Sequence, residues 1–435
     1  MSPILIGLIG FIVLFALLAA GMPIGFALGL IGFVGMTILY PLAAALIKMS
    51  SVPFEVMSSY SLAVLPLFLL MANLIFVSGL GAELFNLASK WLGHFRGGLA
   101  MAGIGGATGF AAVSGSSLAT AATMGLVALP EMKKYGYEPK FAAGSIAAGG
   151  TIGSLLPPSA MFIIYGIITE NSIGKLFVAS IIPAFLTALS YIVTIYVLCL
   201  RNPKLGPPAE KATWKERFAA LKTCWTLLLL VIFVIGGMIV GWFTATEAGA
   251  VGAIGALVLA LATRRLTFAK FKEAFLSTMR TSGMIYGIVM GAFIFNYFCA
   301  KTTLPQVTGE WAGGLPVPSW VIMSVIIGIY FLLGMVMEAP SIQLLTLPVF
   351  YPLIVTTLGY DPIWFGVIQV RMLEITLITP PLGMCAYIVS GVSTENLSVQ
   401  DVFRGVAPFL LMELITMPLF MFVHPITLWL PSLMK

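Results

Sequence analysis

The chain consists mostly of apolar runs of nearly membrane-spanning length, separated by short polar segments. About 20 apolar residues in an α-helix cross a hydrocarbon core of about 30 Å. The alternating strands of about 10 residues that build membrane barrels are missing from the sequence. The pattern therefore predicts an all-α polytopic membrane protein with spans at residues 4–20, 24–47, 60–77, 176–200, 227–240, 247–263, 283–300 and 402–423.

Two of the apolar stretches are interrupted by a proline pair, Pro157-Pro158 in the first and Pro380-Pro381 in the second. Proline has no N–H and its ring clashes with the preceding turn, so a continuous helix cannot pass through either pair. The residue before a proline is also disfavoured in the helical conformation. We therefore predict two broken helices, whose unwound backbone faces protein or a watery cavity, at residues 141–169 and 363–391.

Two further apolar stretches carry a turn signal in the middle. Each of their arms has only about 15 residues, which is too short to cross the bilayer. We therefore predict re-entrant hairpins at residues 98–130 and 320–358, with tips near residues 114–117 and 337–341. Two amphipathic segments, at residues 80–95 and 302–314, are predicted to lie along the membrane interface.

The proline pairs belong to a longer internal repeat. Pro157 and Pro380 are 223 residues apart, and Gly-Tyr-Glu-Pro at 136–139 returns at the same spacing as Gly-Tyr-Asp-Pro at 359–362. The spacing predicts two copies of one unit, each with three spans, an interfacial helix, a re-entrant hairpin, a broken helix and a final span. The copies cover residues 1–200 and 223–435, joined by a linker at 201–222. Each copy crosses an odd number of times, so the second is inverted, and paired interruptions of this kind indicate a transporter binding site.

The distribution of basic residues predicts the orientation. Only 9% of the chain is charged, against about 25% in soluble proteins. If the linker at 201–222 lies in the cytoplasm, Arg371 falls within a span and most other basic residues fall on the cytoplasmic side. The exceptions, on the opposite side, are Lys48, Lys175, Lys301 and Lys435. This asymmetry satisfies the positive-inside rule and places both termini outside. The net charge of +6 therefore needs no nucleic-acid partner.

Motifs for ATP use and for enzymatic chemistry are absent from the sequence. A phosphate-binding loop requires GxxxxGK[ST], and the only Gly-Lys pair, at 174–175, is followed by Leu176. The sequence has no HExxH or GxSxG motif, its four cysteines lack CxxC spacing, and its two histidines are His94 and His424. These features disfavour a metal centre. They favour a gradient-driven transporter without an organic cofactor over a channel or an intramembrane enzyme.

The hairpin tips and helix breaks hold the residues that could bind a coupling cation. Na⁺ takes oxygen ligands, which unwound carbonyls and half-helix ends supply. Serines and threonines in membrane helices also bond to their own backbone or bridge helices, which is the alternative explanation. The Na⁺ candidates are Ser114, Ser116, Ser117, Gly150, Thr151 and Gly153 in the first half, and Glu338, Ser341, Thr376 and Thr379 in the second.

An anionic substrate fits the same breaks. Half-helices that restart after the proline pairs present free N–H groups and a positive dipole end to a carboxylate. Arg371 is a charge at membrane depth, and it forms an ion pair with Glu338 or Glu374, or else contacts the substrate anion. Glu413, in the last span, receives no role. The substrate candidates are Ser154, Pro157, Pro158, Pro380, Pro381 and Arg371.

Several motifs carry a family resemblance. They are FAAVSGSS at 110–117, ATAATMG at 119–125, LPEM at 129–132, AAGSIAAGG at 142–150 and YGIITE at 165–170. In these the chain resembles the large membrane subunit of TRAP (tripartite ATP-independent periplasmic) transporters, the DctM-like and SiaM-like permeases. The second half agrees through Leu373-Glu374 and ITPPLG at 378–383. It departs from the family pattern at Arg371, Met372 and Pro340.

The resemblance implies a Na⁺-coupled importer of an organic acid anion, such as a C4-dicarboxylate or sialic acid, in the bacterial inner membrane. It implies an elevator mechanism, in which a transport core of residues 98–200 and 320–430 slides against a scaffold of the remaining spans. It also implies two partners, a periplasmic substrate-binding protein and a small four-helix membrane subunit on a separate chain. A stand-alone Na⁺/anion symporter without a binding protein remains the alternative.

Overall fold

A computed structural model describes residues 2–434, which are mostly helical with no strand among them. The predicted positions of Met1 and Lys435 lie outside the described residues. A loop at residues 202–213 separates two halves. The first half contains α1 (Pro3–Ala19), α2 (Ile24–Leu39), α3 (Leu42–Ser58), α4 (Val64–Val77), α5 (Gly81–Leu92), α6 (Gly98–Ser114), α7 (Ser117–Lys134), α8 (Pro139–Gly150), α9 (Ala160–Ile168) and α10 (Ile173–Arg201).

The second half also contains ten helices within the described residues. These are α11 (Trp214–Val240), α12 (Ala245–Ala262), α13 (Phe268–Lys301), α14 (Leu304–Gly313), α15 (Ser319–Gly334), α16 (Ala339–Tyr351), α17 (Pro362–Thr376), α18 (Met384–Val392), α19 (Val399–Phe422) and α20 (Pro425–Ser432). A wider helical turn, Pro352–Thr357, continues α16. The predicted all-α class is confirmed by these helices.

Seven helical segments are long and apolar enough to cross a membrane. They are Tyr60–Val77, Ile173–Arg201, Trp214–Val240, Ala245–Ala262, Phe268–Lys301, Ala339–Thr357 and Val399–Phe422. Four shorter apolar helices accompany them, namely Pro3–Ala19, Ile24–Leu39, Gly98–Ser114 and Ser319–Gly334. The chain is therefore a multi-pass membrane protein.

The predicted span at 24–47 is wrong, because two helices occupy it. Tyr40 precedes Pro41 and is extended, with φ −139° and ψ 164°. Proline at 41 disfavours the helical conformation at Tyr40, so α2 ends at Leu39. The chain restarts as α3, an element that the apolar pattern did not separate from α2.

Other helices extend beyond their apolar runs. α11 begins at Trp214, inside the predicted linker at 201–222, because Thr213 and Glu216 form a capping box there. α13 begins at Phe268, well before the predicted start at 283, with Thr267 as its cap. α7 likewise continues through Pro130 to Lys134, and α20 was not predicted. Capping residues set the starts of α11 and α13, and hydropathy does not report them.

Glycines allow the helices of the two halves to pack backbone to backbone. α2 packs against α13, and α4 packs against α12. A methyl group at Gly291 of α13 would lie 2.0 Å from the carbonyl oxygen of Gly25 of α2. α8 and α19 meet in the same way, because a methyl at Gly144 would lie 2.1 Å from the carbonyl carbon of Gly405. Small residues of this kind are typical of close helix contacts in membranes.

Candidate functional site

The first hairpin tip is a tight two-residue turn between α6 and α7. Gly115 has φ +58°, a left-handed conformation that glycine adopts without steric cost. Ser116 caps α7, with its hydroxyl accepting from the N–H of Ala119 at 3.3 Å. Ser114 lies within the tip, and its hydroxyl is 3.0 Å from that of Thr120. The tip therefore holds several oxygens in a small, ordered turn.

This tip is seated on the first helix break, where residues 151–154 form one tighter turn after α8. The N–H of Ser154 donates to Ser117 Oγ at 3.0 Å, and the N–H of Ser117 donates to Ser154 Oγ at 3.2 Å. Gly115 touches the break so closely that a methyl there would lie 1.6 Å from the carbonyl oxygen of Pro158. A methyl at Gly153 would lie 2.5 Å from Ser117 Cα. The tip and the break thus form one unit.

A carboxylate from the second half joins this unit. Ser117 Oγ donates a hydrogen bond to Glu374 Oε2, and Ser117 Oγ and Ser154 Oγ are 3.0 Å apart. Glu374 is only 1% exposed. We call Ser114, Ser117, Ser154 and Glu374 the first-tip cluster.

Two sequence candidates lie beside the first-tip cluster without contributing side-chain oxygens to it. Gly150 packs against α7, where a methyl would lie 2.7 Å from Ala121 Cβ. Thr151 donates to the carbonyl of Ala148 at 2.7 Å, and its hydroxyl is 3.4 Å from that of Tyr191 on α10. Thr151 therefore faces a different group of residues.

The predicted ion pair of Arg371 with Glu338 or Glu374 is wrong. Arg371, which is fully buried, forms its ion pair with Glu413 of α19. Tyr191 donates to the same carboxylate at 2.5 Å, and Thr416 donates to it at 2.9 Å. Arg371 and Glu374 are three residues apart on α17, yet their side chains reach different partners.

The second hairpin tip is arranged differently. α15 ends at Gly334 and α16 begins at Ala339, so the turn lies slightly before the predicted 337–341. Pro340 is in the first turn of α16, a position that proline tolerates. Glu338 is exposed, and together with Ser341 it lines an apolar cavity of about 960 Å³ against α1, α2 and α13.

The hydroxyls of the remaining second-half candidates bond to backbone carbonyls of α17. Thr376 donates to the carbonyl of Leu373 at 2.6 Å, and Thr379 donates to that of Ile375 at 2.8 Å. Thr376 also packs on the second hairpin, since a methyl at Gly334 would lie 2.0 Å from its Cγ2. No hydrogen bond joins Thr376 or Thr379 to Glu338 or Ser341 within residues 2–434. These four residues therefore do not lie together as the residues of the first-tip cluster do.

Sequence reasoning missed a buried amide network at the second hairpin. Gln343 of α16 donates to the carbonyl of Met161 in α9 at 3.0 Å. Gln369 of α17 donates to the hydroxyl of Tyr330 at 2.7 Å, and that hydroxyl is 2.7 Å from Thr346. A signal was present in the sequence, because amides inside apolar runs are costly in a membrane unless they bond across helices.

The two proline pairs differ in exposure. Pro157 and Pro158 are buried against α4 and α11, with a gap of only about 10 Å³ beside them. Such a gap holds at most one water molecule. Pro380 and Pro381 are exposed. Both pairs contain a cis peptide bond.

The helices restart shortly after the proline pairs. α9 begins at Ala160, and the hydroxyl of its cap, Ser159, accepts from the N–H of Phe162 at 3.5 Å. α18 begins at Met384, preceded by Gly383, and no side chain caps it. In α18 the N–H of Cys385 donates to the carbonyl of Leu377 at 2.9 Å, and the N–H of Ala386 donates to that of Gly383 at 2.7 Å. Most of the free N–H groups expected beside the prolines are therefore bonded within the chain.

Comparison with protein families matches residues 11–426 to the family described as "Tripartite ATP-independent periplasmic transporter, DctM component". The chain is 35% identical over 381 residues to the C4-dicarboxylate TRAP transporter large permease protein of Pseudomonas aeruginosa, covering 87% of this chain and 88% of that one. It is 33% identical over 424 residues to the sialic acid TRAP transporter large permease protein of Vibrio cholerae, covering 96% of each.

Two solved structures share the fold at low sequence identity. The YdaH transporter of Alcanivorax borkumensis superimposes with a TM-score of 0.62 and 16% identity, covering all of both chains. The MtrF efflux pump of Neisseria gonorrhoeae gives the same TM-score and identity over 87% of this chain and 84% of that one. The family match and the two permease relatives identify a transporter component rather than an enzyme. The chain belongs to the DctM family of tripartite ATP-independent periplasmic transporters and is a large permease.

Proposed function

We propose that this permease takes up an organic acid anion together with Na⁺ across the bacterial inner membrane. The observation that carries the proposal is the first-tip cluster, where a hairpin tip and a helix break place hydroxyl oxygens and a carboxylate in one buried unit. Broken helices with oxygen ligands are the usual coupling-ion sites of secondary transporters. The proposed Na⁺ ligands come from Ser114, Ser116, Ser117, Gly150, Thr151 and Gly153, with Thr151 turned toward Tyr191 in this structure. A second site formed by Glu338, Ser341, Thr376 and Thr379 requires the second hairpin tip to move toward the second break, because these residues lie apart here.

The proposed substrate is a carboxylate. The printed names of several relatives specify C4-dicarboxylate, sialic acid and 2,3-diketo-L-gulonate, which carry a carboxylate group, and one relative is named for isethionate, which is a sulfonate. The N-terminus of α18 lies beside the exposed Pro380 and Pro381, and its positive dipole end favours such an anion. The equivalent position beside Ser154, Pro157 and Pro158 is closed by α4 and α11, so substrate entry there requires these elements to separate.

We propose an elevator movement of two inverted repeats for this separation. A core of residues 98–200 and 320–430 slides against the helices that pack through α2, α4, α12 and α13. The linker lies in the cytoplasm and both termini lie in the periplasm, as the basic residues favour. A periplasmic substrate-binding protein delivers the anion, and a small four-helix membrane subunit completes the assembly.

Uptake into proteoliposomes tests this proposal. The permease is reconstituted with the membrane subunit that co-purifies with it, and labelled succinate or sialic acid is presented with and without candidate binding proteins. We expect saturable uptake that requires both an inward Na⁺ gradient and a binding protein. Uptake that needs Na⁺ but no binding protein would identify a stand-alone symporter, and uptake unaffected by Na⁺ would contradict the coupling.

A further inference from the structure

Glu374 and Glu413 are the buried carboxylates within residues 2–434, and they have different partners. Glu413 accepts from the Arg371 guanidinium and from the hydroxyls of Tyr191 and Thr416. Glu374 accepts from the hydroxyl of Ser117, and no cationic side chain of the described chain forms an ion pair with it. One of the two acids is therefore paired with a cation, and the other is not.

The charges of this region do not cancel. One guanidinium stands against two carboxylates, so the group carries an excess negative charge when all three are ionised. The hydroxyls of Ser117 and Ser154 are neutral, and they stabilise the carboxylate without removing its charge. An uncompensated charge in a dry interior is strongly unfavourable, so this arrangement favours the binding of one positive charge.

The atoms around Glu374 suit a small cation. Ser117 Oγ lies 3.0 Å from Ser154 Oγ and bonds directly to the carboxylate, so three side-chain oxygens converge. The carbonyl oxygen of Ser116 lies against Gly153, where a methyl would be 2.7 Å from it. Oxygen-only ligand sets are typical of hard cations such as Na⁺.

We infer that Glu374 supplies the carboxylate of a Na⁺ site completed by Ser117 and Ser154, so that one ion joins the two halves of the chain. This inference rests on the sodium coupling proposed above, and it assigns to the site a residue from the opposite half. The first half has no acid of its own there, because the 223-residue repeat places Thr151 at the position equivalent to Glu374.

The pairing of Arg371 with Glu413 keeps the site negative. Arg371 lies three residues from Glu374 on α17, and its Nε and Nη1 have no hydrogen-bond partner in the described chain. Without Glu413, the guanidinium charge would have no other carboxylate to balance it and would neutralise Glu374. Glu413 and Tyr191 hold Arg371 on the α10 and α19 side, which makes Arg371 and Glu413 positioning residues for the ion site.

Equilibrium binding of radioactive Na⁺ to the purified permease tests the charge balance, with ionic strength held constant by choline. Removing a ligand charge should lower the Na⁺ affinity of the affected site roughly tenfold or more. At a Na⁺ concentration that saturates the wild type, we expect Glu374→Gln to bind one Na⁺ fewer per chain. Glu374→Asp, which keeps the charge, should retain the ion at lower affinity. Glu310→Gln, which changes an exposed acid on α14, should bind as the wild type does.

The decisive comparison involves the paired charges. Glu413→Gln should also lose the ion, because Arg371 then neutralises Glu374. The double variant Arg371→Met/Glu413→Gln restores the excess negative charge and should recover the ion. A purely structural role for the pair predicts no such recovery. The inference would be overturned if the double variant bound as little Na⁺ as Glu413→Gln. It would also be overturned if Glu374→Gln bound as much Na⁺ as the wild type. A wild type that binds no Na⁺ would instead contradict the proposed coupling itself.

Discussion

Gly115→Ala should separate the first hairpin tip from the helix break, and its cost follows from the structure. Gly115 has φ +58°, and an L-residue in the left-handed region costs roughly 1–2 kcal/mol. The added methyl would also lie 1.6 Å from the carbonyl oxygen of Pro158, a backbone atom that cannot rotate away. Overpacking of this kind costs about 1–3 kcal/mol more.

Gly136→Ala is a matched control for this substitution. Gly136 has φ +73°, also follows a helix end, and has no atom within 4 Å of an added methyl. It carries the backbone penalty without the clash. The excess cost in Gly115→Ala should appear as a melting temperature lower by a few degrees than that of Gly136→Ala.

If the tip instead moves to relieve the clash, the variant should keep its stability but bind Na⁺ less well. Ser117 would then leave Ser154 and Glu374, and the Na⁺ concentration for half-maximal uptake should rise. Thermal unfolding of the purified variants and uptake into proteoliposomes measure the two effects separately. If Gly115→Ala and Gly136→Ala behaved identically in both assays, the close seating of the tip on the break would be refuted.

Three further predictions concern the coupling ion, the contact between the halves and the topology. Ser114→Ala removes one of several oxygens, so the apparent Na⁺ affinity in uptake should fall before transport is lost. Normal Na⁺ dependence with poor substrate affinity would show that the tip binds the substrate and not the ion. Gly291→Ala should lower thermal stability by about 1–3 kcal/mol through its clash with Gly25, whereas Gly287→Ala, which meets nothing within 4 Å, should not. Cysteines introduced at 202–213 should be labelled only from the cytoplasm and those beside either terminus only from outside; labelling from the same side would exclude the inverted arrangement.

The breaks in the helices could be predicted because their cause is local. Proline pairs interrupt hydrogen bonding wherever they occur, and the structure ends α8 and α17 shortly before them. The same local rule at Pro41 would have separated α2 from α3, but the apolar run concealed it. The starts of α11 and α13 depend on caps outside the apolar runs, so hydropathy alone placed them too late.

The partners within the site were harder to predict because they depend on long-range packing. Ser114 and Ser117 could be proposed as candidate cation ligands from their position in a turn, which is a local property. Arg371 bonds to Glu413, 42 residues away, and spacing along one helix cannot reveal a partner on another. Glu374 meets Ser117 across 257 residues for the same reason. Only the packing of α17 against both halves brings these groups together.

The contact of α2 with α13 has a consequence for synthesis of the protein. Gly25 touches a helix whose residues lie about 260 positions later in the chain, at Gly287 and Gly291. At about 5–20 residues per second, the ribosome adds that helix roughly 10–50 s after α2. Until then the glycine face of α2 lacks its final neighbour in the bilayer. Completion of the second half therefore controls when the first half can adopt its mature packing.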